Sequence, residues 1–139
     1  MSYNGSQVIF PMTKILIVED IADNAELVRR IMSARGYEVF HAADAETGLD
    51  MALADPPDLI LLDLGLPDHD GLTLAGWFRA EESLREVPVI AFTAWPAETA
   101  KHMAETYGCN GFISKPIGSV KEFTATVESF LKNRSADPR

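Results

Sequence analysis

The feature that most constrains this chain is the alternation of short apolar runs with longer amphipathic stretches. Three of the runs are uninterrupted and rich in β-branched residues or leucine, which is typical of strands covered on both faces of a parallel sheet. All are too short to be helices. The five runs among the 139 residues are 15–18, 39–40, 59–62, 89–92 and 112–113.

Amphipathic stretches with helical spacing lie between these runs and after the last one. Asp44 is a suitable N-cap for the second predicted helix, and Gly108 is a suitable stop for the fourth. The fourth stripe contains small apolar residues, so we expect that helix to pack least firmly. The stripes are Ile21, Ala25, Val28 and Met32; Ala45, Leu49, Ala52 and Leu53; Gly71, Leu74, Ala75 and Phe78; Ala100, Met103, Ala104 and Tyr107; and Val120, Phe123, Val127, Phe130 and Leu131.

The order of elements predicts an α/β fold in which strand and helix alternate five times. Right-handed crossovers then place helices on both faces of a parallel sheet. The natural solution is a doubly wound (βα)5 sheet of five strands in the flavodoxin-like order 2-1-3-4-5. We expect one domain over residues 13–133, a loose N-terminal extension at 1–12 and a C-terminal tail at 134–139.

Charge and cysteine content exclude several classes of function. The formal net charge is −9 and the basic residues form no run, so direct nucleic-acid binding is not expected. Cys109 is the only cysteine, which excludes an intrachain disulfide and fits a reducing cytoplasm. No apolar run approaches the ~20 residues of a membrane-spanning helix. We therefore expect a cytoplasmic protein without membrane contact.

Polar residues follow the apolar runs where a parallel sheet of this type binds its ligands, beyond the carboxyl ends of the strands. Glu19 and Asp20 follow the first run, Asp63 the third, Thr93 closes the fourth and Lys115 follows the fifth. Taken singly, each residue has an ordinary structural explanation. The acidic pair would cap the first helix, for example, and the lysine would be a solvated surface residue. The combination at one sheet edge indicates a site.

The residue types at this edge suit phosphoryl chemistry. Three carboxylates that converge repel one another and favour a shared cation, and an all-oxygen ligand set is typical of Mg²⁺. A carboxylate is also able to act as a nucleophile and form an aspartyl phosphate. Lys115 is then available to pair with the phosphoryl oxygens, and the hydroxyl of Thr93 to donate a hydrogen bond to them.

With these residues in view, the chain resembles a response-regulator receiver domain over residues 13–133. The resemblance rests on four motifs in the right order and at the right spacing, which together are highly specific. They are ILIVED at 15–20, LILLDLGLPDHDG at 59–71, PVIAFTA at 88–94 and FISKPI at 112–117.

The resemblance implies that Asp63 is the phosphoacceptor and that Mg²⁺ binds beside it. Glu19 and Asp20 match the acidic pair, with Asp20 as the direct ligand. Asp63 and the backbone carbonyl of Gly65 match the other protein ligands. Lys115 matches the lysine of the family, and the bond that follows it, to Pro116, is often cis in the family.

The family's conformational switch maps onto two further positions. Thr93 matches the switch hydroxyl and Phe112 the aromatic switch residue. Trp95 is bulky where many members carry a smaller group. It either shields the acyl phosphate, contributes to a partner surface, or merely covers the start of the fourth helix.

The implied function is that of a signalling switch rather than a metabolic enzyme. A histidine kinase or a histidine phosphotransfer protein would supply the phosphoryl group, and a downstream protein target would read the change. The chain is similar to DivK-like single-domain receivers and is expected to be a monomer or a weak dimer. The alternatives are a receiver excised from a longer regulator or hybrid histidine kinase, and a pseudo-receiver that is never phosphorylated.

The sequence supports an enzyme less well than a receiver domain. A phosphatase of the haloacid dehalogenase type needs a second aspartate two residues after the nucleophile, and Gly65 stands there. A flavodoxin needs a phosphate-binding loop after the first strand. Glu19 and Asp20 would repel that phosphate.

Overall fold

A computed structural model describes residues 12–135, in which five strands and five α-helices alternate along the chain. Residues 1–11 of the extension proposed at 1–12 and residues 136–139 of the tail proposed at 134–139 lie outside the described residues. The last helix ends at Ser135, two residues beyond the predicted domain boundary. The elements are β1 (Lys14–Val18), α1 (Ala22–Ser33), β2 (Glu38–Ala42), α2 (Ala45–Ala54), β3 (Leu59–Leu62), α3 (Gly71–Ala80), β4 (Val89–Thr93), α4 (Ala97–Tyr107), β5 (Gly111–Ser114) and α5 (Val120–Ser135).

The strands form one parallel sheet in the order β2-β1-β3-β4-β5, as predicted. β1 and β3 lie side by side at the point where the strand order reverses, with Val18 opposite Leu62. The amide of Asp63 continues this pairing by donating to the carbonyl of Val18 at 2.9 Å. The residues that directly follow β1 and β3 therefore meet at one edge of the sheet.

The core has two layers, one on each face of the sheet. Helices α2, α3 and α4 cover one face, where Leu62, Leu74 and Phe78 have no exposed surface. Helices α1 and α5 cover the other, where Val28 and Val127 are equally buried. Since β3 is buried on both faces, its sequence is continuously apolar rather than alternating.

The predicted apolar stripes are confirmed over most of their length but are wrong at the helix ends. Ile21, Leu53, Tyr107 and Val120 are 52%, 39%, 46% and 55% exposed. Each lies in the terminal turn of its helix or directly before it, where neighbouring elements no longer cover the side chain. A short 3₁₀ turn at Glu82–Leu84 was not predicted.

The predicted helix caps at Asp44 and Gly108 are confirmed. The Asp44 carboxylate accepts a hydrogen bond from the amide of Thr47 at 2.8 Å. Gly108 ends α4 with a φ of 92°, a left-handed conformation that favours glycine. None of the helices among residues 12–135 combines the length and the apolar character that a membrane span requires.

Arg79, in the last turn of α3, ties three segments together through its guanidinium. It donates to the carbonyl oxygens of Gly108 at 2.9 Å and Val87 at 3.0 Å, and to Oδ1 of Asn110 at 2.8 Å. Burial lowers the pKa of Arg79 from its ordinary value. These partners lie on the loops that flank β4 and β5, so the arginine holds the amino-terminal edge of the sheet together.

We expect Arg79→Ala to lower the free energy of unfolding by about 2 kcal/mol, because the acceptors that the charged guanidinium now satisfies would lose their hydrogen-bond donor. Urea denaturation with an unchanged m-value would measure the change. Arg85→Ala is the control, since within residues 12–135 the guanidinium of Arg85 makes a single long contact, 3.4 Å to the carbonyl of Arg79. Equal effects of the two substitutions would contradict this role.

Candidate functional site

The fold brings the three carboxylates predicted from the sequence to one edge of the sheet. One oxygen each from Glu19, Asp20 and Asp63 lie within 4.8 Å of one another. Glu19 and Asp63 are buried, whereas Asp20 is exposed. The arrangement follows directly from the adjacency of β1 and β3, because both strands end at this edge.

Lys115 reaches the same cluster from the end of β5. Its Nζ lies 2.9 Å from Oε1 of Glu19 and 3.4 Å from Oδ1 of Asp63. The ammonium also lies 5.2 Å from the centre of the Phe92 ring, and the lysine side chain is only 12% exposed. The peptide bond between Lys115 and Pro116 is cis, as the family resemblance suggested.

The charge balance of the cluster favours a divalent cation. Three carboxylates face a single ammonium group, so the ionised cluster carries an excess of two negative charges. Charges that are buried without compensation are costly. A doubly charged ion with a preference for hard oxygen ligands restores the balance, and Mg²⁺ meets that description. The donor set therefore fits the predicted metal.

The two members of the acidic pair differ in the ligand atoms they offer. Both oxygens of Glu19 are engaged, Oε1 with Lys115 and Oε2 with the amide of Ile21 at 3.1 Å. Within residues 12–135 no protein donor binds the Asp20 carboxylate. The geometry thus favours Asp20 as the direct ligand. The alternative reading of the pair as an N-cap is wrong, because the N-cap position of α1 is Ile21 and no side chain caps it.

The two carboxylate oxygens of Asp63 lie in different surroundings. Oδ1 accepts a hydrogen bond from the amide of Gly65 at 3.1 Å and faces Lys115. No hydrogen-bond donor in the described part of the chain contacts Oδ2. A Cβ added at position 65 would meet no atom within 4 Å beyond its chain neighbours, so the space beside Gly65 is open. Asp63 is therefore held in place through one oxygen, while the other makes no hydrogen bond to a donor within the described residues.

Thr93 and Lys115 are linked through the backbone at the neighbouring strand ends. The amide of Lys115 donates to the carbonyl of Thr93 at 2.8 Å, and Oγ1 of Thr93 accepts from the amide of Trp95 at 3.1 Å. Thr93 is buried, and the rings of Trp95 and Phe112 pack, partly buried, against the core under α2, α3 and α4. The predicted shielding role of Trp95 and switch role of Phe112 stay predictions.

Two polar residues that the sequence patterns did not single out contact segments that neighbour this site. Nε2 of His41 lies 2.6 Å from the carbonyl oxygen of Glu19 and, as the carbonyl only accepts, the histidine donates. Asp68 contacts the start of α2 across a long sequence distance. Neither contact has a local sequence signal, because each joins residues more than 20 positions apart.

His69 contacts side chains of two helices. Its Nε2 lies 3.1 Å from Oε2 of Glu46, and its ring meets that of Trp77 edge-on at 4.8 Å between centroids. Cys109 is buried, and burial raises the pKa of its thiol to about 11. The thiol therefore stays protonated near neutral pH and is not a nucleophile.

The family match covers nearly all of the described chain. Residues 15–128 match the response regulator receiver domain. Among curated relatives, the polar-differentiation response regulator DivK of Brucella ovis is 41% identical over 121 residues, which covers 86% of this chain and 98% of that protein. DivK of Brucella anthropi is 39% identical over 117 residues, with coverages of 84% and 94%.

Solved structures of receiver domains share the fold. The receiver domain of the Pseudomonas aeruginosa sensor histidine kinase PA1611, solved with a magnesium ion coordinated in its active site cleft, is 29% identical with a TM-score of 0.80. That match covers 88% of this chain and 99% of the other. The receiver domain of a histidine kinase from Syntrophus aciditrophicus is 28% identical with a TM-score of 0.81, covering 91% and 95%.

Proposed function

Because this chain belongs to the response regulator receiver domain family, it is a receiver of two-component signalling, and we propose that Asp63 is its phosphoacceptor. The observation that carries the proposal is the asymmetry of the Asp63 carboxylate. Oδ1 is held by Gly65 and Lys115, while Oδ2 has no donor among the described residues. A nucleophile needs this combination of fixed geometry and an accessible lone pair.

The phosphoryl donor we propose is a phosphohistidine on a histidine kinase or a histidine phosphotransfer protein. Oδ2 of Asp63 attacks phosphorus, and the new O–P bond forms as the N–P bond breaks. The imidazole leaves with the electron pair of that bond and takes up a proton. The product is an aspartyl phosphate on Asp63, and water later cleaves it to inorganic phosphate.

Lys115 and Thr93 are proposed to hold the phosphoryl group. Lys115 already lies 3.4 Å from Asp63, so its ammonium is placed to pair with a phosphoryl oxygen. The hydroxyl of Thr93 is available as a donor, because in its present contact it only accepts. A movement of Thr93 toward the phosphoryl group would change the space beside Phe112 and so bias the surface formed by α4 and β5.

Asp20, Asp63 and the backbone carbonyl of Gly65 are the groups we propose to hold Mg²⁺, with Glu19 completing the acidic cluster. When bound, the ion neutralises phosphoryl oxygens and orients the incoming donor. The support is the donor set of three carboxylates within 4.8 Å and its excess negative charge.

We expect Asp20→Asn to weaken Mg²⁺ binding by about tenfold or more, because it removes a charged ligand that has no competing protein partner. Calorimetric titration with MgCl₂ measures the Kd directly. Asp23→Asn is the matched control, since Asp23 is an exposed aspartate in the first turn of α1 and the charge change is identical. Equal weakening in both variants would show a general charge effect and contradict the assignment.

The proposal extends to partners and location. The downstream reader is a protein target, and the acidic chain, with a net charge of −9, is not expected to bind nucleic acid directly. A cytoplasmic location suits a chain whose lone cysteine is a buried free thiol. The association state we propose is monomer or weak dimer, with autophosphorylation from small phosphodonors as an intrinsic activity.

The test is the intact mass of the wild-type chain after incubation with Mg²⁺ and acetyl phosphate. The expected result is a gain of one phosphoryl group that disappears when EDTA is present. A second arm follows tryptophan fluorescence as beryllofluoride, a stable phosphoryl mimic, is added with Mg²⁺. A chain that neither gains mass nor responds to beryllofluoride would instead be a pseudo-receiver, a pure interaction module.

A further inference from the structure

The loop after β3 is tied to helix α2 by the side chain of Asp68. Oδ1 accepts a hydrogen bond from the amide of Ala45 at 2.8 Å, and Oδ2 accepts one from the amide of Glu46 at 3.1 Å. Amides in the first turn of a helix have no acceptor within the helix itself, and Asp68 supplies one for each of these two. The loop that carries Gly65 is therefore anchored to a helix that precedes it by about 20 residues.

Helix α2 is in turn fixed against β1, the strand that delivers the acidic pair. Ala45 is fully buried, and Gly48 packs so closely on β1 that a Cβ there would lie 2.9 Å from Cγ2 of Val18. Glu19 directly follows Val18. The start of α2 is thus fixed relative to Glu19 and Asp20. Because Asp68 binds the start of α2, the loop after β3 is fixed relative to the same two residues.

The rest of the loop has few other anchors. The amide of Gly71 donates to the carbonyl of Leu64 at 3.1 Å, and Leu66 is buried in the core. Between these points Asp68 and His69 make the described side-chain contacts to α2. The contact of His69 with α2 is to the exposed side chain of Glu46, and its ring also meets that of Trp77 on α3. Desolvation acts to raise the pKa of Asp68, but the hydrogen bonds from several backbone amides together outweigh it and lower the pKa below its ordinary value. The carboxylate is therefore ionised and a strong acceptor near neutral pH.

We propose that Asp68 is a positioning residue for Mg²⁺-dependent phosphorylation, an inference that rests on the proposed function of Asp63. By binding the start of α2, it holds the carbonyl of Gly65 and the carboxylate of Asp63 at the spacing from Asp20 that one metal ion requires. Small displacements of metal ligands are costly, because Mg²⁺ demands nearly ideal octahedral geometry.

The test compares Asp68→Ala with Asp44→Ala in the full chain. Both variants remove one aspartate that caps α2, but Asp44 caps it from its own end through the amide of Thr47 and has no link to the loop. We expect Asp68→Ala to weaken Mg²⁺ binding about tenfold and to raise the Mg²⁺ concentration that half-saturates phosphorylation by acetyl phosphate. Asp44→Ala should change neither by more than about twofold, although both variants should lower Tm. Asp68→Asn, which keeps one acceptor oxygen, should recover part of the affinity.

The outcomes separate this inference from the proposed function. If wild type binds Mg²⁺ and is phosphorylated while Asp68→Ala matches it, the positioning role is wrong and the function of Asp63 stands. Equal losses in the two alanine variants would reduce Asp68 to a structural cap. A wild-type chain that binds no Mg²⁺ would overturn both.

Discussion

Asp63→Asn is expected to lower phosphoryl incorporation from acetyl phosphate by at least about a thousandfold, below detection by intact mass. The amide nitrogen is not a nucleophile, whereas the oxygen that remains is still able to accept the hydrogen bond from Gly65. Lys115 keeps its 2.9 Å ion pair with Glu19, so the surroundings of residue 63 are preserved. The loss should therefore be one of chemistry and not of folding.

The stability of the same variant provides an internal check. Asp63 is one of three carboxylates that repel one another at the sheet edge, and it is only 7% exposed. Removing its charge should leave Tm unchanged or raised. Asp50→Asn, at an exposed position of α2, is the control and should be phosphorylated like wild type. Continued phosphorylation of Asp63→Asn would show that another residue is the acceptor and would contradict the assignment.

Gly71→Ala is expected to lower the free energy of unfolding by about 3 kcal/mol and to impair phosphorylation as well. An added Cβ would lie 2.3 Å from the carbonyl oxygen of Asp63 and 2.7 Å from Cα of Leu64. Both are backbone atoms, so no side chain is able to rotate away, and the start of α3 or the end of β3 must move. Overpacking of this kind costs about 1–3 kcal/mol and occasionally more. The displaced atom belongs to the proposed phosphoacceptor itself.

Gly76→Ala in the same helix is the matched control. A Cβ at position 76 meets no atom within 4 Å, so only helix propensity changes and stability should rise by about 0.5–1 kcal/mol. Urea denaturation of both variants, together with the rate of acetyl phosphate labelling, would distinguish steric conflict from backbone entropy. A Gly71→Ala variant as stable as wild type would mean that α3 shifts without cost.

The interpretation of the sequence was most successful where local chemistry repeats along the chain. The runs 15–18, 59–62 and 89–92 are continuously apolar because their strands are buried on both faces, and each became a strand. Polar residues directly after such runs stand out, which is why Asp63 and Thr93 were identifiable. The strand order then follows from right-handed crossovers and places those residues at one edge.

The periodicity misled at the ends of helices. Ile21 and Val120 have the spacing of buried residues, yet both are more than half exposed. Spacing along one helix indicates which residues share a face but does not indicate where the neighbouring elements stop covering that face. Only packing against the other elements sets that limit.

The amino-acid pattern alone therefore determines the layer architecture, the sheet order and the identity of the acidic, hydroxyl and lysine side chains at its carboxyl edge. It does so because the spacing of apolar residues along each segment indicates which faces of a strand or helix are buried, and right-handed crossovers then order the strands. Which contacts each side chain makes depends on the tertiary structure. Only there does Lys115 bind Glu19, Gly65 hold one oxygen of Asp63, and Asp68 bind the start of α2. These contacts join residues distant in sequence, and their geometry exists only after the two core layers have packed on the sheet.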